Sequence, residues 1–302
     1  MLPDTHPKKS YISDNAAGVL WVTASTALFT LVFASGKLAG DTASALQILF
    51  LRYVGGLATL ATIVACSGKS LKYYASAKPG SHFCRAIFGA FGGASAIHAA
   101  ANMPIADATA IGLLEAIFTV LLGVVLLGEV ISRSHWLAIA ISCAGAGVMM
   151  ASKGAFTTIT GAYLWPAGFA LLGAILIACE AIMIKILAVA ERPLTVLLYV
   201  NAFGVLLLFL PALLTWRAQA LTDNLPFFLL GPLAITAQYL TIRGFRIAAV
   251  SVLGPVSYSW IVFAAILGFV LFGEVPDDGT ILGAVIIVIG GIRLALLKPA
   301  NN

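Results

Sequence analysis

Ten runs of about twenty mainly apolar residues, separated by short joints, take up nearly all of this 302-residue chain. An α-helix needs about that length to cross the hydrocarbon of a bilayer. The runs lie at about 17–36, 43–66, 82–101, 106–127, 134–152, 162–187, 194–216, 226–246, 250–272 and 279–297. Only 10% of the residues are charged and 61% are apolar, where an ordinary soluble domain carries roughly 25% charged. Water would find too little polar surface to wet. In a bilayer the apolar surface becomes the required exterior, and each helix satisfies its own backbone. The fold class read from the residues is therefore all-α, a polytopic membrane protein with ten transmembrane helices. The first fifteen residues are polar and the first apolar run is too long for a signal peptide, which predicts a tail at 1–16 and a retained first helix.

The joints set the direction of neighbours. Residues 102–105 separate the third and fourth runs, and 247–249 the eighth and ninth, so these pairs must lie antiparallel. With the N-terminus in the cytoplasm, thirteen Lys and Arg residues fall at cytoplasmic helix ends and three (Lys37, Lys153, Arg217) at outer ends. Basic residues are retained inside, so both termini are expected in the cytoplasm. The seventeenth, Arg52, lies within a span. The net charge of +5 is thus a topology signal. No basic, aromatic-studded face is present, and nucleic acid is not an expected partner.

The sequence also repeats itself. Leu122-Gly123-Val124-Val125-Leu126-Leu127-Gly128-Glu129-Val130 recurs as Leu267-Gly268-Phe269-Val270-Leu271-Phe272-Gly273-Glu274-Val275. The same offset pairs Gly145 with Gly290. Residues 17–152 and 153–298 then form two repeats of five spans each. Five is odd, so the second repeat enters the membrane in the opposite direction. Two inverted halves can exchange conformations and open a central site to each side in turn, which points to a transporter.

The duplicated Gly-x4-Gly-Glu close, with Leu51-Arg52-Tyr53 in the second span and the stretch from Tyr239 to Ser259 holding Arg243 and Pro255, resembles the EamA-type unit of the drug/metabolite transporter superfamily. The resemblance covers nearly the whole chain. It implies a cavity between the halves, cytoplasmic termini and a bacterial inner (plasma) membrane. Length and layout are similar to the amino-acid exporter branch, aromatic amino acids included. Other members carry drugs, sugar phosphates or nucleotide sugars.

Ionisable groups inside a membrane cost at least about 2.5 kcal/mol at the bilayer centre, so each needs a reason. Glu115 lies near the middle of the fourth span, with Ile111, Gly112, Thr119 and Gly123 on its side of a helix. Facing a cavity, its carboxylate could bind a substrate amine or cycle a proton. Facing Arg52, it could be a fixed ion pair. The equivalent repeat position holds Trp260, so the halves differ chemically at this depth. Arg52 reads as structural because it sits in the domain-wide signature. Glu180 lies in the inner third of the sixth span. His98, toward the outer end of the third, could be a cavity ligand or proton carrier. Glu129 and Glu274 read as fold determinants at span ends. Tyr199 and Asn201 in the seventh span, Gln238 and Tyr239 in the eighth, and Tyr258 and Trp260 in the ninth suit a small amphipathic ligand. Gly254-Pro255 precedes Tyr258, where an interior proline removes a backbone donor and is expected to kink the ninth helix.

No P-loop, dinucleotide fingerprint, catalytic triad or metal-ligand spacing is present, so neither cofactor nor metal is expected. Four scattered cysteines, Cys66, Cys84, Cys143 and Cys179, read as small apolar residues. The expected activity is alternating-access transport of small metabolites, amino-acid export first, with lipid as the surrounding partner and a proton as candidate coupling ion. Drug, phosphorylated-metabolite or nucleotide-sugar transport is the alternative. A lipid-modifying membrane enzyme would need His or acidic residues clustered at one interface, and a channel would need a continuous polar path.

Overall fold

The computed structural model describes residues 14–39, 42–157 and 164–297. The tail expected at 1–16 falls almost wholly outside them, as do Lys298 and the side chain of Lys37. Among the described residues the chain is helical, with no strand. In order come α1 (Asp14–Ala39), α2 (Ala45–Cys66), a 3₁₀ turn at Leu71–Tyr74, α3 (Pro79–Asn102), α4 (Ile105–Gly112), α5 (Leu114–Leu127) and α6 (Arg133–Ser152). Then follow α7 (Leu164–Ala190), α8 (Pro193–Leu214), α9 (Leu221–Ile247), α10 (Val250–Leu253), a 3₁₀ segment at Gly254–Tyr258, α11 (Ser259–Phe272) and α12 (Asp278–Leu296).

Helices cover the expected apolar runs. Among the described residues, nine stretches are long and apolar enough to cross a membrane, counting α4–α5 as one and α10–α11 as one. The run missing from that set is α3. It is 24 residues long, but Arg85, His82, His98 and many Gly and Ala residues lower its hydropathy. It spends that polarity inward: Arg85 and His82 are buried.

The eighth run differs most from expectation. Read from sequence it opens at Pro226, yet α9 begins at Leu221 and runs through Pro226 and Pro232. Neither proline brings an amide, so the carbonyls of Thr222 and Phe228 lose their helical donors while the helix continues. The fourth run is broken. Its helix stops at Gly112, Leu113 turns, and α5 restarts at Leu114. The ninth breaks at the matching place, where Pro255 brings no amide and the chain tightens into 3₁₀ turns.

Lipid does not drive apolar helices together, so close backbone approach must. Helices α6 and α12 meet through Gly145, Gly283 and Gly290. A Cβ on Gly145 would stand 2.8 Å from both the Gly283 carbonyl and the Ile287 amide. Helices α5 and α11 end alike. Gly128 and Gly273 take φ of 66° and 68°, the left-handed region that glycine enters without strain. Each then turns the next glutamate back along its helix: the Glu129 amide donates to Gly123 and the Glu274 amide to Gly268.

Candidate functional site

The two interruptions face each other. The missing side chain of Gly254 brings the 3₁₀ segment against α5, where an added Cβ would lie 3.1 Å from the Ala116 carbonyl. This places Glu115, in the first turn of α5, close to Ser257 and Tyr258. Tyr258 is 1% exposed, and its hydroxyl lies beside Cys143 of α6. Interrupted spans are tolerated in a bilayer where protein or a cavity receives the freed backbone groups.

Helices α2, α3 and α7 bring further charge to this level. The Arg85 Nε lies 3.5 Å from Glu180 Oε1. Glu180 seats over Gly89, whose hypothetical Cβ would be 2.8 Å from its Oε2. Glu180 also feels the charge of Arg52, and Glu115 that of Glu180. Arg52 is buried, its guanidinium 4.5 Å from the Tyr53 ring, and its Nε has no hydrogen-bond partner among the described residues. One turn along α2, Gly56 leaves room for Asn201, whose Oδ1 would be 2.8 Å from an added Cβ. The Asn201 amide donates to Leu197 O at 2.8 Å and to Gln238 Oε1 at 3.2 Å.

The residues singled out from sequence therefore divide. Glu115, Tyr258, Asn201 and Gln238 are buried or partly buried near the crossing, as is Arg52. Others lie elsewhere. Tyr199 sits near the start of α8, its ring stacked 4.7 Å from His82 and its hydroxyl accepting from the Ser76 amide. Tyr239 accepts from exposed Arg243 at 3.2 Å, one turn before α9 ends. His98 is exposed near the end of α3, its ring 4.4 Å from Phe169. Trp260 is 36% exposed.

Sequence reasoning set Arg85 aside as a charge at a helix end. A signal was present, because Arg85, Gly89 and Gly92 fall on one helical face and mark a packed surface. The Arg85–Glu180 pairing and the approach of Ser257 depend on separate helices and left no pattern in the chain.

A mostly apolar crevice of about 160 Å³ runs beside the α4–α5 break, lined by Leu113, Leu114, Cys143, Met150, Phe156 and Tyr258 among others. At the opposite end, the α9–α10 joint is clamped from both sides. Glu129 accepts from the amides of Val250 (2.7 Å) and Ser251 (2.8 Å) at the start of α10. Lys185 donates at 2.8 Å to the carbonyls of Phe245 and Ala248 at the end of α9. A carboxylate on helix N-terminal amides and an ammonium on C-terminal carbonyls both match the helix dipole. The same end holds Glu191, which accepts from Ser76 Oγ, from the amides of Ala77 (3.1 Å) and Lys78 (3.3 Å), and from His82 Nε2 at 2.8 Å. Burial works to raise the Glu191 pKa. The hydrogen bonds from Ser76, His82 and Lys78 outweigh it and hold the carboxyl below its ordinary value.

Known proteins resemble this chain in sequence and in fold. The S-adenosylmethionine uptake transporter of Rickettsia prowazekii (strain Madrid E) is 26% identical over 93% of this chain and 91% of its own. The pseudopaline exporter CntI of Pseudomonas aeruginosa (strain PAO1) is 26% identical over 93% of this chain and 97% of its own. A solved crystal structure superposes with a TM-score of 0.76 over 95% of this chain and the whole of that one, at 20% identity, which is a likeness of fold. The EamA-like transporter family model matches twice, at residues 16–151 and 164–296. A multi-pass helical membrane protein built from two such segments, with no enzyme among these relatives, is a small-molecule transporter, and the chain belongs to the EamA-like transporter family of the drug/metabolite transporter superfamily.

Proposed function

We propose that this transporter is a secondary carrier of amino acids or closely related metabolites, acting as an exporter by alternating access between two inverted five-span halves. Its ten spans would place both termini in the cytoplasm of a bacterium, with substrate bound between the halves near the bilayer midplane. The observation that carries this reading is the crossing of the two interrupted spans. Glu115 and Ser257 meet there beside Arg52, Arg85 and Glu180, at the depth where a bilayer tolerates charge only for a purpose. S-adenosylmethionine, named for one relative, carries an α-amino-acid head group, which agrees with this chemistry. The clamp on the α9–α10 joint supports a conformation closed at the cytoplasmic end, with the apolar crevice on the other side.

The test is transport by the purified protein in liposomes, using labelled L-amino acids with and without an imposed proton gradient. Saturable flux of one or a few amino acids supports the reading, and acceleration by the gradient assigns the coupling ion. Flux of phosphorylated metabolites or nucleotide sugars, with none of amino acids, overturns it.

A further inference from the structure

Charge bookkeeping at the crossing leaves a remainder. Four ionisable groups converge there, Arg52 from α2, Arg85 from α3, Glu115 from α5 and Glu180 from α7. Arg85 and Glu180 form an ion pair at 3.5 Å. One cation and one carboxylate are left over, and among the described residues no ion pair joins Arg52 to Glu115. The fixed Arg52–Glu115 pair considered from sequence is therefore not what the structure builds.

Arg52 is 6% exposed and its Nε lacks a hydrogen-bond acceptor. A guanidinium does not discharge at any physiological pH, so its burial calls for an anion. Its five donors suit the two oxygens of a carboxylate. Ser257 stands close to Glu115, and an ionised carboxylate can accept about four bonds. Its remaining acceptors suit an ammonium group. Glu180 is near enough to sense both. Around Arg52 lie groups that can order a polar ligand without adding charge, the Asn201–Gln238 amide pair beside Gly56.

We infer that Arg52 and Glu115 form a divided zwitterion site, in which Arg52 receives the substrate's carboxylate and Glu115 its ammonium, with the Arg85–Glu180 pair beside them. A substrate must then carry both charges, and the apolar crevice next to Tyr258 receives the side chain between them. Arg52 becomes a specificity residue as well as part of the fold. The inference rests on the transport reading above only in requiring that solute reach this site.

The test compares analogues that each lack one charge. The twenty L-amino acids and S-adenosylmethionine are screened first, by the rise in melting temperature of the purified protein and by flux in liposomes. The best of them is then compared with its carboxamide, which lacks the anion, and its N-acetyl derivative, which lacks the cation. The expected loss is roughly tenfold or more in apparent affinity for each, the scale of one charge-assisted hydrogen bond. In Arg52→Gln the acid should lose its advantage over the carboxamide, while the advantage over the N-acetyl compound stays. In Glu115→Gln the reverse should hold. A merely structural Arg52 would lower melting temperature without changing the acid-to-carboxamide ratio. Should Arg52→Gln fail to fold, Arg52→Lys replaces it and should retain a reduced ratio. The inference is overturned if no zwitterion binds, if wild type treats the three forms within about twofold, or if the ratios survive both substitutions. Flux of singly charged or neutral solutes in place of zwitterions sinks the inference and leaves the transport reading intact. Charge-selective binding with no flux of any solute does the opposite.

Discussion

Glu129→Gln should open the clamped end of the protein. The wild-type carboxylate accepts two amides, from Val250 at 2.7 Å and Ser251 at 2.8 Å, at the first turn of α10. A hydrogen bond to a charged group contributes about 1.5–3 kcal/mol net, so the two give roughly 3–6 kcal/mol. Glutamine keeps one neutral acceptor, about 1 kcal/mol. The side chain is only partly buried, which favours the lower end of the difference, about 2 kcal/mol. If the contact exists only while this end is closed, the whole difference acts on the gating equilibrium. It corresponds to roughly thirty-fold toward the open state. The assay uses protein without native cysteines, with Ser251→Cys as reporter and Lys72→Cys as an exposed control expected on the same, cytoplasmic side. A membrane-impermeant maleimide should label the reporter roughly thirty-fold faster in Glu129→Gln and the control at an unchanged rate. Equal reporter rates with and without Glu129 would refute the gate. A fall in melting temperature without faster labelling would mean that Glu129 holds the fold in every state.

Two further outcomes follow from the packing and the loop chemistry. Gly145→Ala should force α6 from α12, because its Cβ would meet backbone atoms of Gly283 and Ile287 at 2.8 Å; a cost of about 1–3 kcal/mol predicts a melting temperature lower by about 2–8 °C, whereas Gly147→Ala, with nothing within 4 Å of its Cβ, should shift it by less than about 1 °C. Glu191 titrates below its ordinary value in the folded protein, so its stabilising contribution is complete above the unfolded carboxyl's pKa, about 4.3, and is lost as pH falls through the lower folded value. The melting-temperature gap between wild type and Glu191→Gln should accordingly be steady above about pH 7, where His82 is neutral in both, and close on acidification below about pH 4; a gap as wide at about pH 3 as at about pH 7 would contradict the sign.

How much of this was legible in the sequence depends on the range of the interaction. Helices were legible because a bilayer enforces them run by run, with no reference to the rest of the chain. A kink at Pro255 was legible because proline lacks an amide, though not the full interruption into 3₁₀ turns. The break at Gly112 was not, since glycine inside a membrane helix is ordinary and only packing against the other interrupted span selects the turn. Glu129 stood out at a span end beside its glycine, but its partners, the amides of Val250 and Ser251, lie 121 and 122 residues away. Glu115, Asn201, Gln238 and Tyr258 stood out as polar groups at membrane depth. His98, Tyr199 and Tyr239 stood out by the same criterion and lie away from the crossing, and Trp260, at the start of α11, is partly exposed, because a one-dimensional reading cannot see which face of a helix meets its neighbours.

The sequence by itself determined the solvent of this protein, the number and position of its apolar runs, the recurrence of its Gly-Glu motif and the family to which it belongs. Each of these is a local or additive property of the chain: hydropathy sums along a run, and a repeat is a comparison of residues in order. Only the tertiary structure decided which buried charges pair. Arg85 takes Glu180 at 3.5 Å and leaves Arg52 and Glu115 unjoined, because ion pairing falls off within a few ångströms and the helices carrying these groups come from four separate parts of the chain.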